Sequence, residues 1–422
     1  MTRPIAYDAT HLVSRLNCCA TTGIDRVDLA YARHLVDSSR LACGVHYGIR
    51  NPHIFSRERV ARLAQRVAQE TDDGARSPDD WAKLRAWLLG TPRADSPDAP
   101  RPEKKSDARD LLRKIELRLA HDAPRAIPDS AIYLNVAQHG LEYPRLFDWL
   151  GRRPDVRAAF FVHDFLPLDY PEYFRRGYEA RFRRRTETIL RHASAIIVSS
   201  HAVAERVESE FVARGKRSIP IHVQPLASPL DWPAQIAIDR ELADSCYFVV
   251  VSTLEPRKNH LMLLNVWRAL ASAVGEKPKL VLVGNPGWEN EQIVDMLQRS
   301  AAIRPYVRWV AGLSAGALRK LVANARALLM PSFAEGYGLP IVEALSLGAP
   351  AIVSDIPVFR EIAQGRAVFL SPIDGAGWRD AIGELSAADS SRRQEAVRDT
   401  RGFAPPSWDG YFAKVEEFLA TL

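Results

Sequence analysis

The chain has 422 residues, of which 47% are hydrophobic and 26% charged, a balance that suits a soluble globular protein and excludes a disordered or fibrous one. This length is enough for two domains of roughly 150 to 220 residues each. The formal charge of +6 favours anionic partners, either phosphates, nucleic acid or an acidic membrane face.

The amino-terminal residues MTRPIAYDAT lack the apolar core of a secretion signal, and the chain has no run of about 18 apolar residues. The four cysteines form no CxxC pair, so neither a zinc site nor a disulfide framework is indicated. We therefore expect a cytoplasmic protein that does not span a membrane.

The first half alternates short apolar runs with segments of helical length, which is typical of a parallel sheet with crossover helices. Its candidate strands are IAYDA, ACGVHYG, AIYLNV, AAFFVHD, AIIVSS and IHVQP. We predict a first α/β domain over residues 1–230. Within it, residues 51–126 are rich in Arg, Asp and Pro, which predicts a charged insertion with a mobile loop flanked by helices.

The segment TTGIDRV follows the first predicted strand after a long polar loop. Gly23 would let this loop approach a ligand closely, because glycine has no side chain to obstruct it. We predict that Gly23 and Arg26 line a cleft near a diphosphate or an acceptor. The alternative is an ion pair between Asp25 and Arg26 at the start of a helix.

Residues 175–185, RRGYEARFRRR, form a basic segment in which Tyr178 and Phe182 are four positions apart. Such a helix face suits an anionic membrane or a phosphorylated acceptor. We favour the alternative of a solvated helix whose aromatic pair packs on the sheet. Nucleic-acid binding is disfavoured because no recognised nucleic-acid module accompanies the charge.

The second half has a more regular alternation, with candidate strands CYFVVVS, KLVLVG, VRWV, ARALLMP, PAIVS and AVFL. It predicts a second parallel α/β domain over residues 231–404, after a proline-rich boundary between Pro225 and Ser245. Residues 405–422 place large apolar side chains at helical spacing, which predicts a closing amphipathic helix.

The most informative segment is PSFAEGYGLPIVEALSLGAPAIVSD, residues 331–355, which begins where an apolar strand ends. Gly336 and Gly338 loosen the loop, and Pro340 suits a first helical turn that begins near Leu339. A helix that starts directly after a parallel strand presents free backbone N–H groups that suit a phosphate.

Glu335 in this loop and Glu343 on the helix are not needed to bind a phosphate. Carboxylates in such a place suit hydrogen bonds from sugar hydroxyls. The alternative is that both are solvated charges, which are favourable near a helix N-terminus in any case.

A second segment, VVVSTLEPRKNH, residues 249–260, also carries a strand into a polar turn and a helix. Arg257 and Lys258 are adjacent cations at the end of the strand. A guanidinium beside an ammonium suits the negative charge that develops on a leaving diphosphate. The pair taken alone is weak evidence, since most such dipeptides are surface charge.

The turn EPRKN followed by EGYGLPIVEA resembles the family 4 retaining glycosyltransferases of the GT-B fold. The hallmark of that family is two glutamates with seven residues between them, which correspond here to Glu335 and Glu343. The resemblance is close over about residues 245–375, with Tyr337 where many relatives carry Phe. It implies two Rossmann-like α/β domains facing across a cleft, with the C-terminal helix packed back on the N-terminal domain.

By the same resemblance, the second domain binds the donor, with Arg257 and Lys258 on the diphosphate. Glu335 would touch the sugar and Glu343 the ribose hydroxyls. The other donor-binding residues would be Thr253, Gly336, Tyr337, Gly338 and Leu339. In the first domain, FFVHDFLPLDYPEYF resembles a strand that ends in a histidine facing the sugar, which makes His163 a candidate catalytic residue and Asp164 its acceptor-side neighbour.

The resemblance implies retaining transfer of a hexose, with mannose from GDP-mannose favoured over rhamnosyl or other UDP- or dTDP-sugar transfer. The acceptor would be a saccharide or lipid-linked saccharide in surface polysaccharide or lipopolysaccharide synthesis, at the inner face of the plasma membrane. We expect neither a cofactor nor a metal, because no convincing DxD carboxylate cluster occurs.

Three rival classes remain at this point. Another GT-B enzyme, a nucleotide-sugar epimerase or a phosphorylase, would differ in whether donor turnover requires an acceptor. A dinucleotide-binding oxidoreductase is disfavoured because no GxGxxG motif opens either half. An inactive scaffold subunit that binds a sugar nucleotide is disfavoured because Arg257, Lys258, Glu335 and Glu343 are all present.

Overall fold

The computed structural model divides the chain into two compact units. The first contains Met1–Gly74, Glu103–Leu230 and Pro406–Leu422, and the second contains Ala75–Pro102 and Asp231–Pro405. The structure describes residues 2–16, 22–47, 52–73, 78–90, 124–216, 218–228, 239–273, 277–387 and 389–422.

The described residues form two sheets. The strands are β1 (Ile5–Asp8), β2 (Leu41–Tyr47), β3 (Pro52–Phe55), β4 (Ile132–Asn135), β5 (Arg157–Val162), β6 (Ala193–Val198), β7 (Ile221–Val223), β8 (Tyr247–Val251), β9 (Lys279–Val283), β10 (Val307–Val310), β11 (Ala327–Met330), β12 (Ala351–Ser354) and β13 (Val368–Leu370). The first seven belong to the first unit and the remaining six to the second.

The helices connect and cover these strands. They are α1 (Thr10–Arg15), α2 (Gly23–Asp37), α3 (Arg57–Asp73), α4 (Pro78–Leu88), α5 (Asp148–Arg152), α6 (Leu166–Asp169), α7 (Tyr178–His192), α8 (His201–Ala213), α9 (Arg240–Asp244), α10 (His260–Ser272), α11 (Glu291–Arg299), α12 (Ala315–Ala323), α13 (Leu339–Ser346), α14 (Pro357–Ile362), α15 (Gly375–Ser386), α16 (Ser391–Thr400) and α17 (Trp408–Ala420).

The first sheet has the strand order β3-β2-β1-β4-β5-β6-β7. All of its neighbours pair in parallel except β2 and β3, which are antiparallel. Strands β4 and β5 are nearly continuous apolar runs with almost every residue buried, as expected where helices cover both faces of a parallel sheet.

The second sheet has the order β10-β9-β8-β11-β12-β13 and is parallel throughout. The strand order reverses between β8 and β11, which are parallel neighbours although they are far apart in sequence. In open α/β sheets, ligands bind outside the carboxyl ends of the strands at such a reversal. The motifs singled out in the second half, residues 249–260 and 331–355, contain the connections that leave β8 and β11, so both lie at this reversal.

Helix α17 follows the second unit in the chain but packs on α2 in the first. The hydroxyls of Tyr31 and Tyr411 are 2.7 Å apart and both side chains are buried. Glu416 on α17 forms an ion pair with Arg40, and its Oε1 lies 3.1 Å from His34 Nε2. The sequence predicted this packing of the C-terminal helix on the N-terminal domain.

The charged insertion predicted at 51–126 is divided between the two units. Strand β3 extends the first sheet, whereas α4 lies against the second unit. Arg85 pairs with Asp239 at 3.0 Å, and the Trp87 ring lies beneath the cationic ends of Lys279 and Arg308. These contacts hold α4 because a flat aromatic face attracts cations. The segment TPRADSPDAPRPEKKSDARD, residues 91–110, for which the mobile loop was predicted, lies outside the described residues.

Replacing Tyr411 with alanine should open a cavity under α17 and lower the stability of the first unit by about 3–5 kcal/mol. Tyr411→Phe should cost less, about 1–3 kcal/mol, because it keeps the buried ring and removes the hydroxyl that bonds to Tyr31. Native-state hydrogen exchange of the β5 amides measures the change, with exposed Lys414→Ala as the control. Equal protection of β5 in Tyr411→Ala and the parent would contradict this role of α17.

Candidate active site

The carboxyl ends of β8 and β11 bring the two motifs together in the second unit. After β8 the chain makes a 3₁₀ turn at Pro256–Lys258, and after β11 a loop leads into α13. Because β8 and β11 pair in parallel, both connections leave the same edge of the sheet. The residues predicted to bind a donor therefore share one edge.

Glu335 joins the two connections through a double ion pair. Its Oε1 accepts a hydrogen bond from Lys258 Nζ at 2.5 Å, and its Oε2 accepts one from Arg257 Nη1 at 2.7 Å. The carboxylate is buried, with a side chain 7% exposed. Such a group is stable only because both of its charged partners are present.

The ion pairs determine the protonation of Glu335. Burial alone would raise the pKa of this carboxyl, but Arg257 and Lys258 hold it at about 2. His260, which follows the same turn, is buried, and burial lowers its pKa to about 3. At neutral pH, Glu335 is therefore ionised and His260 is neutral, so His260 adds no third cation.

Arg257 also fixes the loop after β11. Its Nη1 donates to the backbone oxygen of Ala334 at 2.6 Å, and its Nη2 donates to Glu255 Oε1 at 2.8 Å. Its own backbone oxygen accepts from the N–H of Phe333 at 2.9 Å. Sequence reasoning missed Glu255, although it begins the EPRKN turn, two positions before the arginine that it binds.

Asn259 closes the turn in a left-handed conformation with φ of 57°, which asparagine tolerates better than most residues. Its side-chain amide donates to the backbone oxygens of Pro331, at 3.1 Å, and Pro372, at 2.8 Å. The Asn259 side chain thus holds the turn that carries both cations against the loops that follow β11 and β13.

Helix α13 begins at Leu339, as predicted, with Gly338 as its N-cap residue. Gly338 has φ of +131°, and a Cβ atom there would lie 2.9 Å from the side chains of Ile362 and Phe359. Only glycine fits this position without displacing neighbours. The close packing sets the direction of the helix N-terminus, with its free N–H groups, at the edge of the sheet.

The other predicted donor-binding residues lie around this helix start. Gly336 and Tyr337 are buried, and Thr253 is half-buried just after β8. Glu343 lies on α13 and is 2% exposed. Because Glu335 and Glu343 are both buried, the alternative that they are solvated charges is wrong.

The charged groups of this cluster balance one another. Arg257 and Lys258 are matched by the carboxylates of Glu255 and Glu335. A diphosphate bound here would therefore depend on the N–H groups and positive end of α13 as well as on the two cations.

The other predicted catalytic residue, His163, follows β5 at the carboxyl edge of the first sheet. Its Nε2 is 2.8 Å from the backbone oxygen of Val136. A carbonyl only accepts, so Nε2 carries the proton and Nδ1 presents a lone pair. Burial lowers the pKa of His163 to about 4, so the ring is neutral at pH 7.

The acceptor-side candidates Asp164 and Arg26, and the donor-binding candidate Gly23, take part in local structure. Asp164 accepts a hydrogen bond from the N–H of Leu166 at the start of α6. Gly23 is the exposed first residue of α2, and Arg26 is half-buried on the same helix. Asp25, one of the two residues of the alternative ion pair, forms a capping box with Thr22 and also contacts His11 and Arg15.

The described residues show neither a membrane-spanning helix nor a cluster of metal ligands. No helix there is both long and apolar enough to cross a membrane. No group of three or more His, Cys, Asp or Glu side chains there is placed to hold a metal ion.

Comparisons with known proteins agree with this architecture. The family model of the glycosyl transferases group 1 matches residues 235–393, which include both motifs. O-antigen chain mannosyltransferase B of Escherichia coli is 32% identical over 266 residues, which cover 60% of this chain and 67% of the relative. The chain belongs to the group 1 glycosyltransferases.

The serotype-specific mannosyltransferase WbdA of Escherichia coli is also 32% identical, over 228 residues. The aligned part is 51% of this chain and only 28% of WbdA, so the chain spans little more than a quarter of that relative. Sucrose-phosphate synthase from Thermosynechococcus elongatus has the same fold, with a TM-score of 0.56 at 16% identity over 82% of this chain and 94% of that one. These likenesses confirm the predicted GT-B fold of two Rossmann-like domains.

The double ion pair of Glu335 predicts a specific response to acid. Its pKa is about 2 in the folded chain against an ordinary value of 4.5, so its contribution to stability is complete above pH 4.5 and is lost as the pH falls towards 2. The stability difference between the parent and Glu335→Gln, measured by urea denaturation, should therefore shrink over that range. Exposed Glu384→Gln is the control. A difference that stays constant from pH 5 to pH 2.5 would disprove the ion-pair assignment.

Proposed function

We propose that this glycosyltransferase transfers a mannosyl residue from GDP-mannose, with retention of configuration, to a saccharide or lipid-linked saccharide during surface polysaccharide synthesis. The main support is the buried cluster of Arg257, Lys258 and Glu335 beside the N-terminus of α13. The cluster places two cations beside the free N–H groups of a helix start, at the edge where α/β proteins bind ligands.

In this proposal the donor diphosphate contacts Arg257 and Lys258 and the N–H groups after Glu335. Glu335 fixes both cations before the donor arrives, so little reorganisation is needed when negative charge develops on the leaving group. Its carboxylate also accepts hydrogen bonds from sugar hydroxyls, while Glu343 accepts those of the ribose. Thr253, Tyr337 and Leu339 complete the wall around the donor.

The transfer step follows a front-face course. The bond from the anomeric carbon to the diphosphate oxygen breaks, and the acceptor oxygen bonds to the same face of that carbon. The acceptor proton passes to the departing phosphate oxygen, which becomes more basic as its sugar leaves. Arg257 and Lys258 neutralise the charge of the departing group, and no metal is needed for this part.

The neutral ring of His163 suits a contact with the sugar, because its Nδ1 lone pair accepts a hydrogen bond from a hydroxyl. Arg26 and Asp164 are proposed on the acceptor side, and Gly23 is proposed to contact the donor. Mannose is preferred because the matched relatives from Escherichia coli are mannosyltransferases by name. The name of the O-antigen relative likewise supports an acceptor in surface polysaccharide synthesis. The inner face of the plasma membrane is proposed for this reaction from the net positive charge of the chain.

The first test is thermal stabilisation by GDP, UDP, dTDP and ADP. A nucleotide present at 100 times its dissociation constant should add about 2.7 kcal/mol to the folded state. We expect GDP to give the largest shift and Glu343→Gln to abolish it, with exposed Glu384→Gln behaving as the parent. A larger shift with UDP or dTDP would replace mannose with another sugar class. No shift with any nucleotide would overturn the donor site.

The second test concerns the leaving group. Lys258→Ala should lower turnover by about 10² to 10³, the usual loss when one oxyanion-stabilising donor is removed. Lys320→Ala, an exposed lysine on α12, should leave turnover unchanged. Transfer by Lys258→Ala at the parental rate would contradict the diphosphate assignment. Activity abolished by EDTA and restored by Mn²⁺ would contradict the metal-independent course.

An inactive subunit that binds a sugar nucleotide is the second candidate. It is favoured by one observation, the neutrality of the cluster in which both cations already have carboxylate partners. This candidate predicts a GDP shift in the first test together with no sugar transfer to any acceptor.

A further inference from the structure

The first unit contains a pocket of about 600 Å³ that none of the donor-site residues lines. Thr10 lies just after β1, Tyr47 ends β2, and His139 lies in the loop after β4, so these three lining residues lie at the carboxyl edge of the first sheet. The strand order reverses between β1 and β4, which are parallel neighbours. The pocket thus occupies the position at which α/β sheets bind ligands.

The wall of the pocket carries an excess of positive charge. Arg145 and Arg184 line it, and both are exposed. Among the described residues, neither guanidinium forms an ion pair. The carboxylate of Glu142, in the same wall, is already bound by Arg181 and Arg185.

Glu142 therefore does not offset the two exposed arginines. Its Oε1 accepts from Arg181 Nε at 2.8 Å and its Oε2 from Arg185 Nε at 3.0 Å. Burial alone would raise the pKa of Glu142, but Arg185 and Arg181 keep it below its ordinary value. These bonds also hold α7 against the loop after β4. Arg184 on α7 and Arg145 after that loop are therefore held in fixed positions relative to each other.

The remaining lining is neutral and largely apolar. Burial and the neighbouring cationic side chains lower the pKa of His139 to about 4, so its ring is neutral at pH 7. Tyr143 is 59% exposed and offers an open aromatic face, and Leu146 and Pro144 lie beside it. An aromatic face suits the apolar C–H side of a sugar ring, while hydroxyls find donors and acceptors in Thr10 and His139.

We propose that this pocket binds a glycosyl phosphate, which forms part of the acceptor. The sugar ring lies against Tyr143, and the phosphate is held by the guanidinium groups of Arg145 and Arg184, whose planar N–H groups match phosphate oxygens. This assignment gives the basic segment 175–185 a specific function through Arg184. It rests on the proposed function for the identity of the reaction, but not for the binding itself.

Direct binding tests the pocket without turnover. Isothermal titration of the full chain with mannose 1-phosphate should give a dissociation constant at least tenfold lower than with methyl α-mannoside. Arg184→Gln and Arg145→Gln should each weaken mannose 1-phosphate binding about tenfold, the usual effect of one charged hydrogen bond. Arg183→Gln is the matched control, because Arg183 is adjacent on α7, exposed, and paired with Glu179 outside the pocket.

Several outcomes would overturn the proposal. They are equal binding of the two mannose compounds, unchanged binding in both pocket variants, and binding of inorganic phosphate as tight as that of mannose 1-phosphate. A different result would instead indicate a membrane-facing helix. In that case the parent chain binds phosphatidylglycerol vesicles but not mannose 1-phosphate, and Arg184→Gln and Arg183→Gln weaken vesicle binding equally.

A mannosyl phosphate esterified to a farnesyl chain tests whether the glycosyl phosphate belongs to a lipid-linked or to a soluble acceptor. Binding tighter than that of mannose 1-phosphate supports a lipid-linked acceptor, and equal binding supports a soluble one. The GDP shift separates this proposal from the proposed function. If the parent chain shows the GDP shift but does not bind mannose 1-phosphate, the pocket assignment alone is refuted. If it binds mannose 1-phosphate but shows no GDP shift, the donor site alone is refuted.

Discussion

The two ion pairs of Glu335 are the constraint on which the rest of the donor edge depends. A buried carboxylate is tolerated only with matched cations, and here both cations come from a turn some 77 positions earlier in the chain. The contact fixes the distance between the turn after β8 and the loop after β11. Removing one member would leave a buried charge without compensation, which is strongly destabilising in other proteins.

That constraint also sets the place of α13. The loop between Glu335 and Gly338 has only two residues, so fixing the carboxylate fixes the start of the helix to within a short reach. Gly338, packed against Phe359 and Ile362, then sets its direction. The cations, the backbone donors and the buried Glu343 thus form one rigid arrangement.

Much of this was predictable from the sequence. The alternation of apolar runs with helical segments predicts parallel sheets, and the end of each strand marks where polar side chains collect, which is why Arg257, Lys258 and Glu335 were expected at one edge. That Glu335 would bind both cations was not predictable, since it depends on β8 and β11 being neighbours. Local periodicity carries no information about strand order.

The insertion shows the same limit. Its composition indicated few apolar residues to bury, yet α4 attaches to the second unit through the Trp87 ring and the pair of Arg85 with Asp239. Contacts of this kind rest on single side chains that meet far apart in sequence. The pocket of the first unit was missed for a related reason, because Tyr47, His139 and Arg184 come from three separate elements.

The position of α17 in the chain has a consequence for biosynthesis. Domains usually fold in the order in which they leave the ribosome. Here, however, the helix that covers Tyr31 is synthesised only after all of the second unit. The surface around Tyr31 therefore stays exposed while the second unit is synthesised and forms its core. We expect chaperones to bind this aromatic surface during translation.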